Sequence, residues 1–275
     1  MIQHLNSRMS ILVNLRSRQG FIEMLRVFRI QRFNPEREPN QWVDEYTLEV
    51  NEDDKILDIL LKIRDEVDTT LGFRASCAHG VCGSDGMMID GLNRLACQTF
   101  VGDVPGRKPI NIAPLKGVPV EKDLIVDMDP LLDKVKSVNP WVVAKEHKAG
   151  ERELLMSQED FEKIEDMTKC IWCSCCTTSC PSLWSDSDYL GPQALVMAAR
   201  FILDTRNEDA EKIIEKVGGL DGVFRCHTIG NCTDACPRDI DVTGAIAAVK
   251  KVLLQGIDNE DKFSNIVWEK GDEKE

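Results

Sequence analysis

Between Leu25 and Phe33 apolar and polar side chains alternate, with Val27, Phe28, Ile30 and Phe33 as the apolar members. A turn-rich stretch from Asn34 to Asn40 separates this run from a second one, Tyr46 to Val50, and the pair predicts a β-hairpin. Ile56, Leu60, Ile63 and Val67 then recur at helical spacing, with cap candidates between Asn51 and Asp54 ahead of them. Shorter strand-like runs follow at Met87 to Ile89, at Leu95 to Phe100 beyond an Asp90-Gly91 turn, at Ile110 to Ala113 and at Leu124 to Met128. Residues 25–128 therefore read as a small mixed sheet crossed by one helix. Past Asp129 the period becomes helical. Ser157 and Asp160 open one helix as a capping box before Phe161 and Ile164. Gly191-Pro192 precedes the apolar-rich Ala194 to Leu203, and Asp209 to Val217 and Val242 to Leu254 supply two more helices. The pattern predicts an α+β architecture, with a sheet domain over 25–135 and an all-helical domain over 136–260.

The 275 residues suffice for two such domains, and 43% hydrophobic with 29% charged residues is a globular balance. The apolar stretch Ala194 to Ala199 ends at Arg200, far short of the roughly 18 residues a membrane span needs. A net charge of −13 excludes the basic footprint of a nucleic-acid binder. Residues 1–24 differ in texture, with Arg8, Arg16 and Arg18 against the single acid Glu23. This N-terminal extension reads either as an organellar transit peptide or as a stretch upstream of a true start at Met24. Residues 261–275 form an acidic tail, most simply a solvated end.

Cysteine changes the picture most. Of 11, three lie between Cys77 and Cys97 and eight between Cys170 and Cys236. An odd, clustered set flanked by Gly and Pro points to metal rather than disulfides. Cys77-x4-Cys82-x2-Asp85 with a distant Cys97 follows the plant-type [2Fe–2S] loop, except that Asp85 stands in the third position. A carboxylate is anionic and can ligate iron; the alternative is that Asp85 holds a water or hydroxide ligand. Gly80, Gly83 and Gly86 suit a loop that curls its amides toward sulfur. Zinc or plain buried thiols are the competing readings.

Cys170-x2-Cys173-x2-Cys176-x3-Cys180-Pro181 is the bacterial ferredoxin run, in which the fourth cysteine serves the other cluster. The second run ends at Cys236-Pro237 and has Cys232 and Cys226 at the matching distances, with Ile229 where the second thiol belongs. Cys170, Cys173, Cys176 and Cys236 thus make a [4Fe–4S] set. Cys180, Cys226 and Cys232 with an isoleucine at the fourth corner favour [3Fe–4S]. Cys175 is left over, as an alternative ligand or as a buried thiol. No nucleophile–base pair, phosphate loop or dinucleotide fingerprint is visible, so three clusters without a site for chemistry make an electron relay.

The segments SCAHGVCGSDGMMIDGLNRLAC (76–97), CIWCSCCTTSCPSLW (170–184), GPQALVMAARFILDTR (191–206) and FRCHTIGNCTDACP (224–237) resemble the iron–sulfur subunits of succinate dehydrogenases. The resemblance covers residues 25–256. It implies a β-grasp [2Fe–2S] domain followed by an α-helical ferredoxin domain. It further implies partners: an FAD-containing flavoprotein subunit as electron source, membrane-anchor subunits, and quinone as acceptor. The place implied is the inner face of the cytoplasmic membrane, or the mitochondrial matrix face if residues 1–24 are a transit peptide. By position the family's quinone site would use Pro181, Trp184, Ser185, His227, Ile229 and Lys250. The family commonly has two consecutive tryptophans where this chain has Trp184-Ser185, and Arg-Glu-Gly where this chain has Ala78-His79-Gly80. The iron–sulfur subunit of a fumarate reductase, or of another quinone-linked membrane oxidoreductase, is the nearest alternative; a structural zinc protein is the distant one.

Overall fold

The computed structural model describes residues 11–12, 24–106, 108–144 and 153–255. The acidic tail and most of the N-terminal extension lie outside these. The chain forms two compact units, one up to Leu115 with Pro119–Val126, the other Lys116–Val118 with Asp127 onward.

In the first unit, β1 (Ile11–Leu12), β2 (Met24–Phe33), β3 (Gln41–Val50), β4 (Gly86–Ile89), β5 (Leu92–Leu95) and β6 (Ile110–Ala113) form one sheet in the order β1-β3-β2-β6-β4-β5. The β2–β3 hairpin is antiparallel, with Phe28 opposite Tyr46, whereas β2 pairs parallel with β6. A parallel neighbour needs a crossover, and α1 (Ile56–Glu66) lies within it. Its Ile56, Leu57, Ile59, Leu60 and Ile63 are buried, as are Phe28 and Ile30 of β2 and Leu48 and Val50 of β3. Two expectations need correction. Lys55, not one of residues 51–54, caps α1, because the Asp54 carboxylate instead accepts the Asn51 N–H at 2.8 Å. The run Leu95 to Phe100 is no strand: Asp85 captures the N–H groups of Ala96 and Cys97, so the chain turns after Leu95.

An ionic knot fastens the strands of this unit. Arg32, 3% exposed, donates to Asp123 (3.0 Å), Asp44 (2.8 Å), Asp68 (2.6 Å), Tyr46 (3.0 Å) and Thr70 (2.9 Å). Such a buried charge is tolerable only because its donors are answered. Burial opposes ionisation of Asp68, but hydrogen bonds from Thr70 and Arg32 win and hold its carboxyl well below the usual range.

The second unit is helical: α2 (Asp129–Lys136), α3 (Gln158–Thr168), α4 (Cys175–Thr178), α5 (Pro181–Ser185), α6 (Pro192–Ile202), α7 (Ala210–Gly218), α8 (Asn231–Asp234) and α9 (Val242–Gln255). The Ser157 hydroxyl accepts the Asp160 N–H at 3.0 Å, as the capping box requires. Residues 192–199 of α6 are all buried and, Gln193 apart, apolar, so this helix forms the axis of the unit. The core gathers on it from Leu131, Ile164, Ile213, Ile246 and Val249. No helix among the described residues is long and apolar enough to cross a membrane.

Candidate iron–sulfur centres

The first centre is a loop between α1 and the β4–β5 hairpin. Val81 and Cys82 donate their backbone N–H groups to the Cys77 sulfur at 3.4 and 3.3 Å. With His79, they pull the Cys77 thiol down to about 6, which favours thiolate. Gly80 has φ +77, and a Cβ there would stand 2.8 Å from the Gln98 side chain, so the tight curl admits only glycine. Beneath the loop, Asp85 is 2% exposed and accepts the Cys97 N–H at 2.6 Å. Burial and the adjacent Asp85 carboxylate push the Cys97 thiol up to about 12. The structure thus holds Cys77, Cys82 and Asp85 in one loop and brings Cys97, in the turn after β5, against Asp85, with the carboxylate on the buried side.

The second unit contains one motif twice. In each run the residue two beyond the first cysteine, Trp172 or Thr228, takes positive φ, and so does the residue four beyond, Ser174 or Gly230. Each run then forms a one-turn helix, α4 or α8, and meets Pro after its last cysteine. The left-handed residues fold the loop back so that amides face sulfur: Thr228 donates to the Cys226 sulfur at 3.4 Å, and Trp172 does the same for Cys170. The two long helices that follow are tied in the same way. The N–H of Gln193, second residue of α6, reaches Thr177 Oγ1, and the N–H of Thr243, second residue of α9, reaches Thr233 Oγ1, each at 2.9 Å.

Two cavities result. One is lined by Cys170, Cys173, Cys176 and Cys236 together with Gln193 and Pro237. The other is lined by Cys180, Cys226 and Cys232 with Ile229, His227, Pro181, Tyr189 and Thr243. Each run therefore sends its last cysteine to the other run's pocket. Burial raises the Cys176, Cys232 and Cys236 thiols and pushes Cys170 up to about 11. Such thiols must shed their protons when they take up metal. Cys175 is buried, lies in neither wall, and interacts with Cys173.

The residues expected at a quinone fall into two groups. Pro181, His227 and Ile229 line the three-thiol pocket, and Ile229 is 55% exposed. Trp184, Ser185 and Lys250 do not line it. The indole N–H of Trp184 donates to the Thr178 carbonyl at 2.8 Å, and Lys116 sits 3.8 Å over its ring. Gly117, at φ +84, lies against the same ring, so Trp184 anchors the Lys116–Val118 strap. Ser185 donates to the Pro181 carbonyl at 3.0 Å, and Lys250 donates to the Cys226 carbonyl at 2.8 Å.

Whether iron–sulfur clusters fit can be judged from atoms the fold leaves unsatisfied. Among the described residues four buried side-chain nitrogen or oxygen atoms lack a hydrogen-bond partner. Two belong to the helical unit, Gln193 Nε2 and Tyr189 OH, and each lines one thiol pocket. Burial, together with the Cys226, Cys180 and Cys232 sulfurs, drives the Tyr189 pKa upward, so its hydroxyl stays a donor. A donor aimed into a ring of thiols fits an anionic sulfur cluster.

These features define a two-domain iron–sulfur protein of the ferredoxin type, and the comparisons agree. Residues 27–133 match the model of a 2Fe-2S iron-sulfur cluster binding domain, and residues 169–241 that of a 4Fe-4S dicluster domain. The chain is 37% identical over 254 residues to the succinate dehydrogenase iron-sulfur subunit of Paracoccus denitrificans, covering 92% of this chain and 96% of the relative. It belongs to the family of succinate dehydrogenase iron–sulfur subunits, part of an oxidoreductase complex. The fold is shared with a chain of the Mycobacterium smegmatis Sdh1 complex in the apo form, at TM-score 0.75 and 24% identity, over 90% of this chain and 100% of that one. It is shared less closely with a hypothetical protein from Helicobacter pylori, at TM-score 0.53 and 17% identity, over 90% of this chain and 43% of that one.

Proposed function

We propose that this chain carries electrons from the FAD of a succinate-oxidising flavoprotein subunit to quinone at a membrane anchor. Bound to it, a 2Fe–2S, a 4Fe–4S and a 3Fe–4S cluster supply one-electron carriers in series. Cys77, Cys82, Asp85 and Cys97 hold the first, Cys170, Cys173, Cys176 and Cys236 the second, and Cys180, Cys226 and Cys232 the third. The observation that carries this reading is the pair of pockets: four thiols ring one, whereas three thiols and Ile229 ring the other. An isoleucine offers iron no ligand, so the second pocket suits a cluster that lacks one iron. The loop amides that meet the Cys77 and Cys226 sulfurs stabilise negative charge there.

Quinone would lie at the mouth of the three-thiol pocket. Pro181 and Ile229 offer it an apolar wall, and the His227 imidazole can give or relay a proton when quinone is reduced. Lys250 places a cation at the backbone of Cys226, and Ser185 fixes the Pro181 turn. Trp184, its N–H committed to Thr178, contributes through packing. The anchor subunits would hold the chain on the inner face of the membrane. The test is to assay the purified complex with succinate, using a quinone analogue and separately a dye reduced at the flavoprotein. His227→Ala should slow quinone reduction at least about tenfold and spare dye reduction. Equal rates with quinone in both proteins would remove His227 from the acceptor site.

A further inference from the structure

A buried donor left without an acceptor is destabilising, so folds rarely keep one. In the described helical unit two buried side-chain donors find no nitrogen or oxygen acceptor, and both stand in the walls of thiol pockets, where the Tyr189 hydroxyl meets the Cys226 sulfur. Neither is loosely held. Gln193 is 2% exposed; its Oε1 accepts the Ser174 hydroxyl at 2.6 Å and its backbone N–H is bound by Thr177. The Ser174 hydroxyl could serve either end of the amide; with its oxygen on Ser174, the NH2 faces the thiols, the orientation an acceptor sulfur would select. Tyr189 is fully buried, its carbonyl accepts the Lys134 ammonium at 2.6 Å, and the next residue donates to Asp221 at 2.9 Å. The internal repeat sharpens the point. Thr243, at the position equivalent to Gln193, already has its hydroxyl 3.7 Å from the Cys232 sulfur and 2.8 Å from Thr233. The second pocket therefore meets its sulfur from that position with a hydroxyl, the first with an amide whose NH2 is left over.

We propose that Gln193 Nε2–H and Tyr189 O–H are the built-in hydrogen-bond donors to the sulfur of the four-iron and the three-iron cluster, and that each raises the reduction potential of its own cluster. The inference rests on the ligand assignment above. A donor at sulfur stabilises the reduced cluster more than the oxidised one, because reduction adds negative charge to the acceptor. Both side chains are positioning residues for electron flow; neither is a ligand.

The test is a mediated redox titration of the intact complex with dithionite, followed by low-temperature EPR, on wild type, Gln193→Leu and Tyr189→Phe. Gln193→Leu should lower the four-iron midpoint by about a tenfold change in the oxidised-to-reduced ratio, about 59 mV for one electron, and leave the three-iron midpoint in place. Tyr189→Phe should do the converse. Ser174→Ala combined with Gln193→Leu removes both partners of the Ser174 bond, and should give the same shift without an orphaned hydroxyl. Unmoved midpoints, or both midpoints moving together in each variant, would overturn the proposal. Should Tyr189→Phe fail to assemble, electron–nuclear double resonance on wild type in D2O still decides. The three-iron signal must show an exchangeable proton beyond that of the Thr228 amide, and its absence refutes the Tyr189 role. A wild-type complex with no three-iron signal would instead overturn the ligand assignment and the Tyr189 half with it; the Gln193 half is still read on the four-iron cluster.

Discussion

The first cysteine run, from Cys170 to Pro181, and the second, from Cys226 to Pro237, fold alike. They share left-handed residues two and four places after the first cysteine, a one-turn helix, and a threonine that ties down the long helix behind. They differ in the second thiol, Cys173 in one and none in the other, where Ile229 stands with half its surface exposed. The lesson is that the backbone builds the cradle independently of how many thiols fill it. Side chains then decide which cluster each cradle holds. Gly and positive-φ residues set the amide directions; cysteine, isoleucine, glutamine and tyrosine set the chemistry.

The sharpest way to break this comparison is to remove the crossed cysteines. Cys236→Ser should abolish the four-iron EPR signal and Cys180→Ser the three-iron signal, although each residue lies in the opposite run. Loss of the signal belonging to the residue's own run would refute the crossing. Next in size, and serving as a control outside both pockets, Arg32→Met leaves buried Asp123 unpaired and should cost about 3–5 kcal/mol in denaturant unfolding. The same knot predicts a pH dependence. The Asp68 pKa is lower folded than unfolded, so its contribution is present above about pH 4 and is lost as pH falls toward the folded value. An acid limb that survives Arg32→Met unchanged would contradict this. Ile229→Cys should then erase the difference between the pockets: after reconstitution, iron and sulfide assays should gain a fourth iron and the three-iron signal should fade. The smallest effect belongs to Cys175, which lines neither pocket. Cys175→Ala should leave all cluster signals intact and cost about 1 kcal/mol in a melt.

Much of this was legible in the sequence because spacing encodes it. Strand alternation located β2, β3 and β6, helical period located α1, α6 and α9, and the Cys-Pro endings revealed which cysteines cross. Other features were closed to such reading because they depend on partners far away in the chain. Arg32 looks like an exposed strand charge until Asp44, Asp68 and Asp123 converge on it. Trp184 sits at a pocket position by motif, yet its N–H is spent on Thr178. Leu95 to Phe100 has the apolar content of a strand, but a carboxylate ten residues before Leu95 bends it. Gln193 and Tyr189 carry no motif at all; they become informative only as buried donors facing the thiol pockets.

The most direct test of the relay is low-temperature EPR on the purified complex, as isolated and after adding succinate, with iron and acid-labile sulfide assayed on the same sample. The account predicts a three-iron signal in the oxidised sample that succinate removes while a two-iron signal appears. Clusters that ignore succinate, or a protein holding zinc and no sulfide, would contradict it.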